Sequence, residues 1–159
     1  MPETITVGIA EGSICRVPDK IGTIALGSCV GVILYSYFSD YCGMIHVMMP
    51  YNTKNDTRVY KYADSGIEAL LADLRAMGLR KSSAKAKICV GAEMFKQLPG
   101  NKNLTIGKMN IEAVKETLQK HHIEITAEDL GGTLSRTVVF DPSTRKAEIK
   151  IPGGEKYYI

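Results

Sequence analysis

The chain has 159 residues, 45% of them hydrophobic and 23% charged, which is typical of one folded globular domain over residues 1–159. Its net charge of +3 is spread along the sequence, without the basic stripe and interleaved aromatics of a nucleic-acid-binding protein. The longest apolar stretch, residues 30–38, is too short to cross a bilayer, and the N-terminus resembles no secretory signal. A cytoplasmic protein with reduced cysteines is therefore expected.

Three segments rich in apolar and β-branched residues predict strands in the first third of the chain: residues 5–17, 22–35 and 43–49. The second segment is expected to break at Gly27 and Gly31, because glycine weakens a strand interior. Pro50 ends the third strand, and a polar loop follows at residues 51–57.

Helical periodicity begins after this loop. Apolar residues recur at helical spacing over residues 63–77, and Gly78 is a stop signal. A second helix is indicated by the spacing of Ile111, Val114 and Leu118, with Asn110 as its N-cap. Further strands are expected at residues 87–90, 123–126, 136–140 and 147–151, with a turn at residues 141–144. This order predicts an α+β domain in which mixed or antiparallel β-sheets pack together with two or more outer helices.

Cysteine and histidine are the candidates for chemistry, because a reactive thiolate needs a nearby imidazole or positive charge. Cys29 lies between Gly27 and Gly31, which let a ligand or another chain segment approach closely. His46 lies inside an apolar strand. Each residue also has a structural interpretation, Cys29 as a small buried hydrophobe and His46 as a core histidine with one hydrogen bond.

Thr23 has the same parity as Cys29, so a straight strand would place the two side chains on one face, about 20 Å apart. One histidine could not contact both. If both belong to one site, the chain must bend between them, and Gly27 is the expected position of the bend.

The remaining cysteines and histidines have structural explanations. Cys15, Cys42 and Cys89 lack flanking glycines, while His121 and His122 end the second helix, where they can favour its dipole or cap its carbonyls. A zinc site built from Cys29, Cys42 and His46 is disfavoured, because a strand separates the last two by about 13 Å. No metal or other cofactor is expected.

Two segments, residues 23–30 (TIALGSCV) and 43–50 (GMIHVMMP), resemble the signature of the CheD family, the chemoreceptor glutamine deamidases. Matching segments follow in the same order at residues 62–67, 91–95, 106–110 and 128–132, so the resemblance covers nearly the full chain. Two positions depart from the family pattern. Val90 stands where a second glycine is expected, and Met109 stands where a basic residue is expected.

The resemblance implies a site formed by Cys29, His46 and Thr23, acting as the nucleophile, the base and the group that fixes the imidazole. It also implies a fold similar to that of a bacterial toxin deamidase domain. The thiolate would attack a glutamine carboxamide, release ammonia and leave a thioester for water to hydrolyse. Backbone N–H groups at Gly27, Ser28 and Cys29 are candidates to hold the oxyanion.

The implied substrate is a glutamine on the helical cytoplasmic bundle of a chemoreceptor, which calls for a shallow, open site. Met44 and Met48 share a strand face with His46 and could adapt to several helix surfaces, or they could be ordinary core residues.

The family also implies pairing with CheC, a phosphatase of the phosphorylated response regulator. Two other functions stay open. The chain could act mainly as a regulator that CheC binds, or as a cysteine-dependent esterase acting on receptor glutamate methyl esters.

Overall fold

The computed structural model describes residues 2–93 and 105–159. Within these residues the helices and strands are, in chain order, β1 Thr4–Thr6, β2 Gly12–Arg16, β3 Lys20–Leu26, β4 Val30–Tyr35, β5 Tyr41–Val47, α1 Ala63–Ala76, β6 Lys85–Val90, α2 Ile106–Lys120, β7 Glu124–Leu130, β8 Arg136–Asp141, β9 Lys146–Lys150 and β10 Lys156–Tyr158. Short 3₁₀ turns at Val59–Lys61 and Lys81–Ser83 precede α1 and β6.

The strands form two five-stranded sheets. The outer sheet has the order β1-β3-β8-β9-β10, and the central sheet has the order β2-β5-β4-β6-β7. Each sheet is mainly antiparallel with one parallel pair, which is β1 with β3 in the outer sheet and β6 with β7 in the central sheet. Two mixed sheets and two helices confirm the predicted α+β class.

The central sheet is covered on both faces, which makes the molecule three layers thick. One face packs aliphatic side chains against α1 and α2, and the other packs against the outer sheet. Every residue of β4 is buried, as expected for a strand with both faces covered. The face toward the helices carries Val30, Val32, Leu34, Ile45 and Val47, and the face toward the outer sheet carries Ile33, Tyr35, Cys42, Met44 and Cys89.

The first helix confirms its prediction from apolar periodicity. It buries Ile67, Leu70 and Leu74 against the central sheet. Gly78 has a φ of +97°, a conformation that glycine adopts without steric cost, and its N–H donates to the carbonyl of Arg75. The N–H of Leu79 donates to the carbonyl of Leu74, which completes the paired bonds of a Schellman helix end.

The second helix begins earlier than predicted, and the assignment of Asn110 as its N-cap is wrong. Thr105 is the N-cap, and its side chain accepts a hydrogen bond from the N–H of Lys108 at 3.2 Å. Asn110 instead lies one turn inside the helix and is fully buried. The first turn of the helix was not predicted because it contains a glycine and the apolar periodicity begins only at Ile111.

The predicted strands are present, although β7 continues to Leu130, beyond the predicted residues 123–126. Gly31 lies inside β4 and does not interrupt it, because both neighbouring strands pair with it directly. The short strand β10 was not predicted; it pairs only with β9, at the edge of the outer sheet. In the parts of the chain that the structure describes, neither helix is long and apolar enough to span a membrane.

Candidate active site

Residues 27–29 carry the chain from the outer sheet to the central sheet. β3 ends at Leu26 and β4 begins at Val30, so the expected bend is present. A bulge within β3, between Thr23 and Leu26, was not foreseen; there Ala25 adopts a φ of +54°. The bend and the bulge together leave Thr23 on the outer sheet and put Cys29 in the crossover loop, directly before the central sheet.

Thr23 and His46 meet across this layer. The Oγ1 of Thr23, on β3, lies 2.8 Å from the Nδ1 of His46, on β5, and both side chains are almost fully buried. The same Oγ1 donates its proton to the backbone carbonyl of Val7 at 2.7 Å. A hydroxyl has one proton, so Thr23 must accept from His46, which places the imidazole proton on Nδ1 and leaves Nε2 unprotonated.

Cys29 is the accessible thiol. Of the four cysteines, all at positions that the structure describes, Cys15, Cys42 and Cys89 are buried and Cys29 is partly exposed. Its side chain packs at the rim of the core between the two sheets.

Strand register relates Cys29 to His46. Gly31 lies directly opposite His46 in the β4–β5 pair, and Cys29 precedes Gly31 by two residues. Cys29 directly precedes Val30, and Val30 pairs with Val47, the residue after His46. Cys29 therefore enters the central sheet at the end of the β4–β5 pair that carries His46. The structure thus gathers Thr23, His46 and Cys29 in one region.

Gly31 makes room for this arrangement. A Cβ at Gly31 would lie 3.0 Å from the Cδ1 of Leu26 and 3.9 Å from the Cγ2 of Thr23. The bare backbone lets the bulged end of β3 approach the central sheet opposite His46. The close approach predicted from the glycines is therefore made by another segment of the same chain.

Burial shifts both titratable groups toward their neutral forms. Desolvation raises the pKa of the Cys29 thiol and lowers the pKa of His46. At neutral pH the resting site therefore holds a thiol and a neutral imidazole. Such an imidazole can accept the thiol proton when a substrate arrives.

Three donors hold the crossover loop by its carbonyl oxygens. The N–H of Ala92 donates to Gly27 at 2.8 Å, and the N–H of Gly91 donates to Cys29 at 2.9 Å. The Nδ2 of Asn110 donates to the carbonyl of Ser28 at 3.0 Å. The sequence interpretation missed Asn110 at this site. A signal was present in the sequence: Asn110 shares a helix face with the buried apolar positions three and four residues further on.

Of the four residues predicted to contact the substrate or the oxyanion, three are at least partly exposed and one is buried. Gly27 and Ser28 are partly exposed in the crossover loop, next to Cys29. Met48 lies just beyond β5 and is 40% exposed, so it can still meet a ligand. Met44 is fully buried between the sheets and is a core residue, which corrects the prediction that it faces a substrate.

The backbone conformation at Val90 explains why the family pattern has a glycine at this position. Val90 ends β6 with a φ of +87°, a left-handed conformation that is unfavourable for a β-branched residue and easy for glycine. Gly91 follows with a φ of +66°. Met109, the other departure, is 36% exposed on α2. Of the matching segment at residues 91–95, positions 94 and 95 lie outside the described residues.

The remaining candidates lie elsewhere. His121 is the C-cap of α2, and its Nε2 lies 3.3 Å from a carboxylate oxygen of Glu68 on α1. In residues 2–93 and 105–159, no three His, Cys, Asp or Glu side chains are grouped so as to hold a metal ion. Cys42, a member of the zinc alternative, instead has its Sγ 3.4 Å from the Sγ of Cys15.

Residues 48–151 match the family model described as CheD chemotactic sensory transduction. The matched span lies C-terminal to Thr23, Cys29 and His46. Similarity to individual relatives extends over nearly the whole chain.

The probable chemoreceptor glutamine deamidase CheD of Lachnoclostridium phytofermentans is 43% identical over 155 residues, covering 96% of each chain. The chemoreceptor glutamine deamidase CheD of Halalkalibacterium halodurans is 40% identical, over 98% of this chain and 99% of its own length. That of Bacillus licheniformis is 43% identical over 92% of this chain and 89% of its own.

Proposed function

The chain belongs to the CheD family, and from that premise we propose that it deamidates glutamine side chains of chemoreceptors to glutamate, with Cys29 as nucleophile. The activity is that of a protein-glutamine amidohydrolase in chemotaxis. One observation carries the assignment of residues. Thr23 fixes the tautomer of His46, so that an unprotonated Nε2 is available near the one partly exposed thiol.

The first half of the reaction forms a thioester. His46 Nε2 takes the thiol proton as the sulfur of Cys29 attacks the carboxamide carbon of the substrate. The protonated imidazole then gives that proton to the leaving nitrogen, the C–N bond breaks and ammonia departs. Thr23 accepts a hydrogen bond from Nδ1–H throughout and so stabilises the imidazolium that forms, the orienting role of a triad's third member.

The second half hydrolyses the thioester. Neutral His46 takes a proton from water, the resulting hydroxide attacks the thioester carbon, and the C–S bond breaks. The sulfur leaves with the proton from His46, which restores the thiol. The products are a glutamate side chain and the starting enzyme, and no cofactor is required.

The backbone N–H of Cys29 is our candidate donor for the oxyanion. The N–H of Gly91 donates to the carbonyl of Cys29, and in a regular antiparallel pair the N–H of Cys29 would donate back to the carbonyl of Gly91. The positive φ of Gly91 turns its carbonyl away, toward Gly107, where a Cβ would lie only 2.4 Å from the oxygen. Among the described residues, no backbone carbonyl accepts a hydrogen bond from the N–H of Cys29. A main-chain N–H of the nucleophile itself is the usual kind of oxyanion donor.

The decisive experiment is peptide mass spectrometry on the cytoplasmic fragment of a Bacillus licheniformis chemoreceptor. The fragment is incubated with the wild-type chain, with Cys29→Ala and with Cys89→Ala. Cys89 lies fully buried in the same inter-sheet layer and is the matched control. We expect glutamine-to-glutamate conversion by the wild type and by Cys89→Ala, and none by Cys29→Ala.

Equal conversion by Cys29→Ala would refute the assignment of the nucleophile. No conversion by the folded, reduced wild type would refute the deamidase itself. Faster hydrolysis of a receptor glutamate methyl ester than of the glutamine would favour the esterase alternative.

We also propose that the protein works in the cytoplasm, where the substrate helices lie, and that it pairs with CheC. Both proposals rest on family membership. Binding of purified CheC to wild type and to Cys29→Ala separates the roles, because a regulator keeps its partner when the thiol is removed. Failure of both forms to bind CheC would refute the pairing.

A further inference from the structure

The N-terminal half of α2 lies directly behind the crossover loop. Gly107 makes this contact possible, because a Cβ there would come within 2.4 Å of the carbonyl oxygen of Gly91 and 2.7 Å of that of Ala92. Distances below 3.0 Å are not tolerated against backbone, so a larger residue would push the helix away. Gly91 and Ala92 in turn hold two carbonyls of the crossover loop.

Asn110, one turn further along α2, reaches two segments with one amide group. Its Nδ2 donates to the carbonyl of Ser28 at 3.0 Å and to the carbonyl of Met48 at 3.1 Å. Ser28 adjoins the nucleophile, and Met48 lies two residues after His46 on the chain. The two protons of the amide are therefore both used, one on each side of the proposed site.

This arrangement does not serve stability well. The Oδ1 of Asn110 is buried and has no hydrogen-bond partner within the described residues. An unsatisfied buried acceptor destabilises the folded state, because it loses its hydrogen bond to water without gaining another. Asparagine is also a poorer helix former than Ala113 and Leu118, which lie on the same buried face of the helix. The benefit of the side chain therefore lies in what its two donor bonds hold in place.

We propose that Asn110 is a positioning residue that sets the distance between the thiol of Cys29 and the imidazole of His46. It does so by tying the nucleophile loop and the end of the histidine strand to one rigid helix. Because the nucleophile comes from a loop and the base from a strand that is distant in the chain, their separation depends on such a tie. A displacement of about 1 Å in an active site can cost about 100-fold in rate.

The inference deepens the proposed function, so its test includes a measurement that does not need deamidation. The variants are Asn110→Leu, which fills the space without donors, and Asn110→Asp, which is isosteric but places a carboxylate against two carbonyl oxygens. Thr117→Val is the matched control. Thr117 is a buried polar residue on the same helix that bonds only to the carbonyl of Ala113 within that helix.

For each variant we would measure kcat and KM on the receptor fragment, thermal unfolding, and the pH-dependent rate at which iodoacetamide alkylates Cys29, resolved by peptide. Both Asn110 variants should lower kcat by about 10- to 100-fold with KM changed less than about twofold. They should also change the pH profile of Cys29 alkylation toward that of a His46→Gln variant. Thr117→Val should leave both properties as in the wild type.

The outcomes distinguish the two proposals. If the wild type fails to deamidate, the proposed function falls, while the alkylation profiles still test the positioning role. If a folded Asn110→Leu variant alkylates with the wild-type pH profile, the positioning role is overturned. The same holds if its kcat falls no further than its folded fraction.

Discussion

The layer between the two sheets holds thiols in two contrasting settings. Toward one end, Cys15 and Cys42 lie directly opposite each other on β2 and β5, buried, with their sulfurs 3.4 Å apart. Toward the other end, the same strand β5 carries His46, and Cys29 lies in the crossover loop beside it. The sequence separation between Cys42 and His46 is only four residues.

The comparison indicates which properties would make a cysteine thiol reactive in this fold. The hydrogen bond shared with Cys15 and burial together raise the pKa of Cys42, and burial raises the pKa of Cys89 to about 12. Both thiols are fully buried. Burial also raises the pKa of Cys29, so its advantage comes from partial exposure and a neighbouring base.

Removing the base should have the largest effect on this contrast. We expect His46→Gln to lower kcat for receptor deamidation by about 100- to 10,000-fold, because the imidazole proposed to take the thiol proton is removed. Steady-state assays by peptide mass spectrometry would measure it. A loss of less than tenfold in a folded variant would show that Cys29 is activated in another way.

Reactivity toward an alkylating reagent should separate the two settings by about 100-fold. In the native protein, iodoacetamide should modify Cys29 first, while Cys15, Cys42 and Cys89 become reactive only when the structure opens. Peptide-resolved mass spectrometry over time measures each rate. Equal rates for Cys29 and Cys42 would contradict the contrast, and denatured protein provides the control in which all four react.

Replacing the orienting hydroxyl should have a smaller effect. We expect Thr23→Val to reduce kcat by about tenfold, because the buried Nδ1–H of His46 loses its acceptor. Thr23→Ser keeps the hydroxyl and should keep most of the activity. Equal activities of the valine and serine variants would argue against the tautomer role.

The pH dependence should report the burial of His46. Because burial lowers its pKa, the base stays neutral below its ordinary value of 6.5, and the acid limb of kcat/KM should lie below that pH. The lowered pKa of His46 also makes the folded state less stable at acidic pH. The unfolded state binds the proton more readily, so this contribution is present above the unfolded pKa and is lost as pH falls through the folded pKa.

Measurements of kcat/KM for the wild type, and of the free energy of unfolding for the wild type and His46→Gln, across this pH range would test both expectations. The variant should lose the contribution of His46 to the pH dependence of stability. An acid limb above pH 6.5 would indicate an imidazole whose charged form is stabilised.

The smallest effect is expected at the end of β6. Val90→Gly should relieve a left-handed backbone conformation that costs about 1–3 kcal/mol. It should also remove a buried apolar side chain, whose burial stabilises the fold by a similar free energy. Thermal unfolding should therefore change by no more than about 1 kcal/mol. A loss of about 3 kcal/mol or more would show that the valine is not strained in solution.

The sequence by itself determined the class of fold, and its resemblance to the CheD family supplied the proposed nucleophile and base. Apolar periodicity located α1 and most strands, because the pattern of burial is written directly into the spacing of apolar residues. The glycines around Cys29 indicated a close approach and a bend, and both are present. Parity along a straight strand even showed that a bend was required.

Only the tertiary structure decided which residues surround that site. The bulge at Ala25, the turned carbonyl of Gly91 and the two bonds of Asn110 all join segments distant in the chain. Met44 shows the same limit, because alternation gave the face of its strand correctly but not that a second sheet covers it. Local sequence encodes periodicity, whereas contacts between sheets and helices depend on how the layers pack.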